Sequence, residues 1–173
     1  MEARYYLGRA LQREAEWLSR QLESAETDNA RLQLEAQQDA MLHKAVKHFE
    51  KLRDELDGQS SAQIDELQQR LLKNCIFEIP HTYFELRDYD KAITYYNQAI
   101  NRFPQDVQTL VAYIQMGQCH KRMQRPVEAR NMLQQARLLL SHDQIPDAEF
   151  EVPSTNLSRV EWEAWLERAR QVQ

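Results

Sequence analysis

Glycine is almost missing from this chain: three in 173 residues, and they are far apart. A phosphate-cradling loop needs several glycines within a few positions, so no nucleotide-binding turn of that kind can be built. Alternating runs of β-branched residues are also absent, which argues against a sheet. The longest apolar stretches span only a few residues, so no segment reads as membrane-spanning and no membrane insertion is expected. The two cysteines, Cys75 and Cys119, lie far apart inside helical patterns with no CxxC and no clustered histidine. They read as small buried hydrophobes rather than as a disulfide or a metal pair. Nor is there an excess of basic charge. The net charge is −5, with Lys and Arg interspersed among Asp and Glu, so the basic face that a nucleic acid requires is not present.

The first ten residues, "MEARYYLGRA", have neither a basic n-region nor an apolar h-region, and no signal peptide is expected. They begin inside a helical pattern with no cap before Ala3. The expectation is therefore the C-terminal part of a longer protein, with any targeting signal upstream.

Chemistry has little to work with. His43 and His48 are five apart on one helical pattern, a poor spacing for a shared metal, and His81, His120 and His142 lie in separate segments. No serine or cysteine sits in a nucleophile elbow. The many carboxylates stand beside Lys and Arg, as in "HFEKLRDEL", which is the pattern of a solvated helix face. We expect no enzyme, no metal and no cofactor.

What remains is helix. Gln, Glu, Leu, Ala and Arg dominate, and the fold class is all-α. Ala3, Leu7, Ala10, Leu11, Leu18 and Leu22 form a first apolar stripe. Residues 23–38 are polar, with a thin Leu32/Leu34 signal, and fit either a helical extension or an exposed connection. Trp17 continues the first helix and is expected to pack under this insert. The stripe returns through Leu42, Ala45, Val46, Phe49, Leu52 and Leu56, and "DGQSS" ends it. Ser60 and Gln63 have capping-box spacing for the next helix, which holds Leu67, Leu71, Leu72, Cys75 and Ile76. Asp88 caps another, with Ala92, Ile93, Tyr96, Ala99 and Ile100 on its buried face, and Pro104 stops it. Asp106 restarts helix at Val107, and Pro126 opens a helix that buries Ala129, Leu133, Ala136 and Leu140.

After Ser141 the period disappears, and an extended connection is expected over 142–157. Ser158 and Glu161 then make a capping box, with Leu157 and Trp162 placed as its staple, so a final helix is expected over about Arg159–Gln171. Trp162, Trp165, Leu166 and Ala169 share one face of it. Two roles stand for the tryptophans: plugging the end of the array, or offering an aromatic patch to a partner.

Two segments repeat. Pro80, Tyr83, Ala92, Tyr96 and Ala99 align with Gly117, His120, Ala129, Leu133 and Ala136 at a constant offset of 37 residues, counted from Ala92 to Ala129. Small residues at such points let paired helices approach closely. This pattern resembles the tetratricopeptide repeat (TPR). Residues 76–104 carry its Tyr83, Ala92, Tyr96, Ala99 and Pro104, and depart at Pro80, where Gly or Ala is usual. Residues 113–136 carry Tyr113, Met116–Gly117, Ala129 and Ala136 but lack the closing proline. "YYLGRAL" (Tyr5–Leu11) looks like a further helix A, whose helix B is delayed by the insert and appears as Ala45, Phe49 and Leu52. The implied organisation is repeats over 1–141 (a divergent hairpin at 1–57, then 61–106 and 107–141), a connection at 142–157 and a capping helix at 158–173. The spacing is most similar to that of bacterial TPR proteins of the cell envelope, which favours periplasm or envelope over cytoplasm.

The resemblance implies a protein or peptide partner held by the inner helices, helix A of each pair. Carried onto this chain, the partner-binding positions are Tyr5, Arg9 and Gln12; then Asn74, Phe77, His81 and Phe84; then Ile114, Gln118 and Lys121. Phe77 and Phe84 fit either a groove or a core. Arg9, His81 and Gln118 stand where a chaperone-type carboxylate clamp would need Asn, so that specificity is not implied. The alternative is a structural module in which the repeats join copies of the chain or parts of a larger envelope complex. Pro80 removes a backbone donor in mid-helix at roughly 3 kcal/mol, and a bend of more than roughly 20° is expected there.

Overall fold

The computed structural model describes residues 1–59, 64–141, 145–150 and 157–171, omitting the side chains of 169–171. Among these are seven α-helices and one 3-10 turn, and no strand. The helices are α1 (Glu2–Glu23), α2 (Asp28–Asp57), α3 (Glu66–Glu85), α4 (Tyr89–Arg102), α5 (Val107–Arg122), α6 (Pro126–Ser141) and α7 (Arg159–Gln171). The fold is an all-α array of helical hairpins. Its contacts gather into two compact units, Met1–Ala92 and Ile93–Gln173, whose boundary falls inside α4.

In the first unit α1, α2 and α3 pack pairwise on one another. The polar insert of residues 23–38 is helix on both sides of a short turn at 24–27, which Thr27 ends by accepting a 3.2 Å bond from the Ala30 amide. Polar residues suffice there because an antiparallel hairpin needs only one narrow apolar seam. α2 supplies the bulk of the core with Leu42, Ala45, Val46, Phe49, Leu52 and Leu56, all buried. α3 adds Leu71, Leu72, Cys75, Ile76 and Ile79 and continues through Pro80, whose ring is fully buried. Its cap is Asp65, in a reciprocal box with Gln68 (2.8 and 2.9 Å). The expected Ser60–Gln63 box lies outside the described residues.

Two expectations for α1 need correction. Its buried face is Gly8, Gln12, Ala15 and Leu18, whereas Ala3, Leu7 and Ala10 are exposed. Trp17 is 56% exposed and is not buried beneath the insert. The physical reason lies at Gly8, where an added Cβ would sit 2.6 Å from Cε1 of Phe49. Only glycine lets α2 come so close, and the helix is rotated to put that glycine, not the leucine before it, against the partner.

In the second unit Val107, Leu110 and Ile114 of α5 join Leu133, Ala136, Leu139 and Leu140 of α6 in one cluster, closed by Ile145, Phe150 and Leu166. Asp106 caps α5 by accepting from the Gln108 amide at 2.8 Å. Part of the expected extended connection is instead a 3-10 turn, Asp147–Phe150, because Phe150 and Ile145 can bury their side chains on the hairpin end. α7 begins at the expected box: the Ser158 amide and hydroxyl both donate to Glu161 at 2.7 Å, and hold its carboxyl below the usual carboxylate range. Arg159 fastens this end. It donates to the carbonyls of Leu140 (3.1 Å) and Ile145 (2.5 Å) and to Asp147 (2.7 Å), with its guanidinium over the Phe150 ring.

Candidate functional site

The repeat is visible in the backbone itself. α3 ends when the Leu86 amide bonds the Thr82 carbonyl, Arg87 that of Phe84, and Asp88 that of Tyr83. α5 ends with the same three bonds moved along the chain: Met123 to Cys119, Gln124 to Lys121, and Arg125 to His120. Arg87 (φ 63°) and Gln124 (φ 58°) take the left-handed conformation at the same point of each turn. This is the αL closure that lets an antiparallel helix follow at once. The two positions stand at the same offset as Ala92 and Ala129, whose amides bond Asp88 and Arg125 in turn. Each hairpin that carries a helix-A glycine sets it against the same helix-B position: Gly8 faces Phe49, and Gly117 faces Leu133 and the Ala129 carbonyl.

The helix-A side chains divide by burial. On α1, Tyr5 is half-buried with its ring 5.9 Å from that of Phe49, and burial, reinforced by Glu78, pushes its hydroxyl up to about 12. Arg9 pairs with Glu78 and donates to Gln12 Oε1 at 3.2 Å. Gln12 is only 5% exposed, and its amide donates to Glu78 Oε2 (3.0 Å) and Thr82 Oγ1 (2.9 Å). Thr82 in turn donates to the Glu78 carbonyl at 2.7 Å. Arg9 and Gln12 are thus brought together, but onto α3, where they tie two helices through a buried polar network. Glu78 and Thr82 were not among the expected residues. Their helical spacing of four was a signal, but nothing in the sequence says that Gln12 would reach them.

On α3, Asn74, Phe77, His81 and Phe84 share one face by their spacing. Asn74, His81 and Phe84 are half-buried, and the Phe84 ring stands edge-on to Tyr89 at 5.7 Å. Phe77, at 8% exposed, belongs to the core. On α5, Ile114 is 7% exposed and sits in the hydrophobic cluster, whereas Gln118 and Lys121 reach solvent. Trp162 and Trp165 pack on that same cluster, edge to face at 6.0 Å.

Both thiols are inert by environment. Desolvation pushes Cys75 and Cys119 up to about 12, so neither forms a thiolate near neutrality. Among the described residues no group of three or more His, Cys, Asp or Glu is placed to hold a metal, and no helix is long and apolar enough to cross a membrane.

The model of the tetratricopeptide repeat family matches residues 81–137, from the second half of α3 to the last turns of α6. That span contains both αL closures and the Gly117 contact. No curated protein matches the chain.

Proposed function

We propose that this chain, whose residues 81–137 match the tetratricopeptide repeat, is a non-enzymatic scaffold that binds a protein or peptide through the exposed part of its helix-A faces. TPR hairpins commonly serve protein–protein interaction, and the coordinates support a division of labour among the inner-helix residues. Gln12, Phe77 and Ile114 are buried and hold the hairpins together. Asn74, His81 and Phe84 on α3, and Gln118 and Lys121 on α5, remain accessible. The α3 set offers a half-exposed aromatic beside an amide and an imidazole, which suits an apolar anchor; the α5 set offers an amide and a cation, which suits a carboxylate or carbonyl. Tyr5 and Arg9 contribute from α1 only as far as the Glu78 pair leaves them free. The observation that carries the reading is the αL turn repeated at Arg87 after α3 and at Gln124 after α5, which supports hairpins of the tetratricopeptide type. The likeness of its repeat spacing to that of bacterial envelope proteins directs the search for the partner to the envelope.

Photo-crosslinking residues introduced singly at Asn74, His81, Phe84, Gln118 and Lys121 test this in an extract of the source cell. Adducts to one protein at these positions, and none at Asn131 or Gln134 on the exposed side of α6, are expected. Adducts confined to α6 would overturn the assignment.

A further inference from the structure

α6 and α7 meet at an open cleft of about 200 Å³ that brings opposite charges together without pairing them. Arg137, Leu140 and Ser141 of α6 line one side, and Glu163, Leu166 and Glu167 of α7 the other. Leu140 and Leu166 are buried and make its apolar floor. Arg137 is half-buried, and its one bond runs from Nη2 to the Leu166 carbonyl at 2.9 Å. Its Nε is buried with no partner. Among the described residues Arg137 has no ion pair, although Glu163 and Glu167 stand one helical turn apart across the cleft. The bond to Leu166 holds the guanidinium back from them. A half-buried cation with most of its donors unused is costly, and the cleft has room for the group that would satisfy it.

We propose that this cleft binds a free α-amino acid with a short aliphatic side chain. The ligand carboxylate accepts from Arg137, and its ammonium donates to Glu163 in the field of Glu167. Both are charge-assisted bonds, the strong kind. The aliphatic side chain rests on Leu140 and Leu166. Simpler occupants fit less well. An inorganic anion satisfies Arg137 but is repelled by two carboxylates. A lysine side chain or a metal cation reverses that problem and leaves the guanidinium unsatisfied, and among the described residues no three metal-binding groups converge. A peptide terminus carries one of the two charges, whereas a free amino acid carries both on adjacent atoms and is neutral as a whole. The size agrees, since the cleft is smaller than the roughly 300–1,000 Å³ of pockets for larger ligands. Because the ligand touches both helices, its binding fastens α7 to the hairpin end. The site uses none of the helix-A positions, so it is separate from partner binding.

L-Leucine titrated into the full chain carrying Trp17→Phe tests the proposal. Trp162 and Trp165, which adjoin Glu163 and Leu166 in sequence, then report binding by their fluorescence. A saturable change with a Kd of about 1 mM or tighter is expected. Hydrogen exchange should show α7 amides slowed by leucine while those of α1 and α2 are unchanged. N-acetyl-L-leucine lacks the ammonium and L-leucinamide lacks the carboxylate, and each is expected to bind at least about tenfold more weakly. Arg137→Gln is expected to abolish binding. Glu163 is exposed, so Glu163→Gln should keep its helicity and yet bind about tenfold more weakly. Absence of saturation at ten times the expected Kd overturns the proposal. So does equal binding of the acetylated or amidated form, a Glu163→Gln variant that binds like wild type, or α7 exchange that saturating leucine leaves unchanged.

Discussion

Gly8 and Gly117 occupy one position of the repeat, yet alanine at the two should act with opposite sign. Alanine in a helix interior is favoured over glycine by about 1 kcal/mol. At Gly117 nothing opposes that gain, because the new Cβ meets the Ala129 carbonyl at 3.4 Å and Leu133 at 3.6 and 3.7 Å, which are ordinary contacts. Gly117→Ala is therefore expected to stabilise by up to about 1 kcal/mol. At Gly8 the Cβ falls 2.6, 2.7 and 3.1 Å from three carbons of the Phe49 ring, which is completely buried. The ring must withdraw by about 1 Å into a close-packed interior that has no room for it. Overpacking of that kind costs about 1–3 kcal/mol, so the net effect of Gly8→Ala is a loss of up to about 2 kcal/mol. Urea denaturation followed by circular dichroism reads both variants. Phe49→Leu in the Gly8→Ala background removes the colliding ring carbons, and the pair is expected to be less destabilised than the two single effects added together. If Gly8→Ala stabilises as much as Gly117→Ala, the close approach of α1 and α2 is not what requires the glycine.

Arg87 and Gln124 hold left-handed backbone without being glycine, so Arg87→Gly and Gln124→Gly are each expected to raise stability by up to about 1 kcal/mol in the same denaturation assay. Arg159→Ala removes three bonds from the end of the second unit, and hydrogen exchange is expected to show α7 amides losing protection while those of α1 and α2 are unchanged. Gln12→Leu removes the amide that donates to half-buried Glu78 and to fully buried Thr82, with an expected cost of about 1–3 kcal/mol in a denaturant titration. Cys75 and Cys119 titrate near 9.0 when unfolded and at about 12 in the fold, and Tyr5 is raised in the same sense. Their folded pKa values lie above the unfolded ones, so this contribution is complete below pH 9. It is lost as pH rises towards 12, since the unfolded state releases protons first. Stability against pH should fall over that window, and thiol alkylation at neutral pH should require unfolding.

The helix boundaries were legible because caps and prolines are local chemistry. Asp88, Asp106, Pro126 and Ser158 each act within three residues of themselves, and each helix starts where they indicate. The face of α1 was not legible. Counting Leu and Ala finds a stripe, but here a glycine and a glutamine fill the core face, one because Phe49 needs the space and the other because Glu78 and Thr82 need a donor. Both reasons depend on residues more than forty positions away in sequence. The αL turns escaped notice because arginine and glutamine stand where glycine is usual. Of the expected binding positions, spacing placed the α3 set on one face, but depth along a helix face is a property of the packed hairpin. That is why Phe77 is buried while Phe84, two turns on, is half open.

The direct test of helix-A recognition is calorimetric titration of the crosslinked partner, once isolated, against wild type and the Gln118→Ala/Lys121→Glu pair. Both residues are exposed on α5, so the fold should be unaffected. The account predicts at least about a tenfold loss of affinity, equivalent to about 1.4 kcal/mol. Unchanged affinity in a variant of unchanged helicity would contradict it.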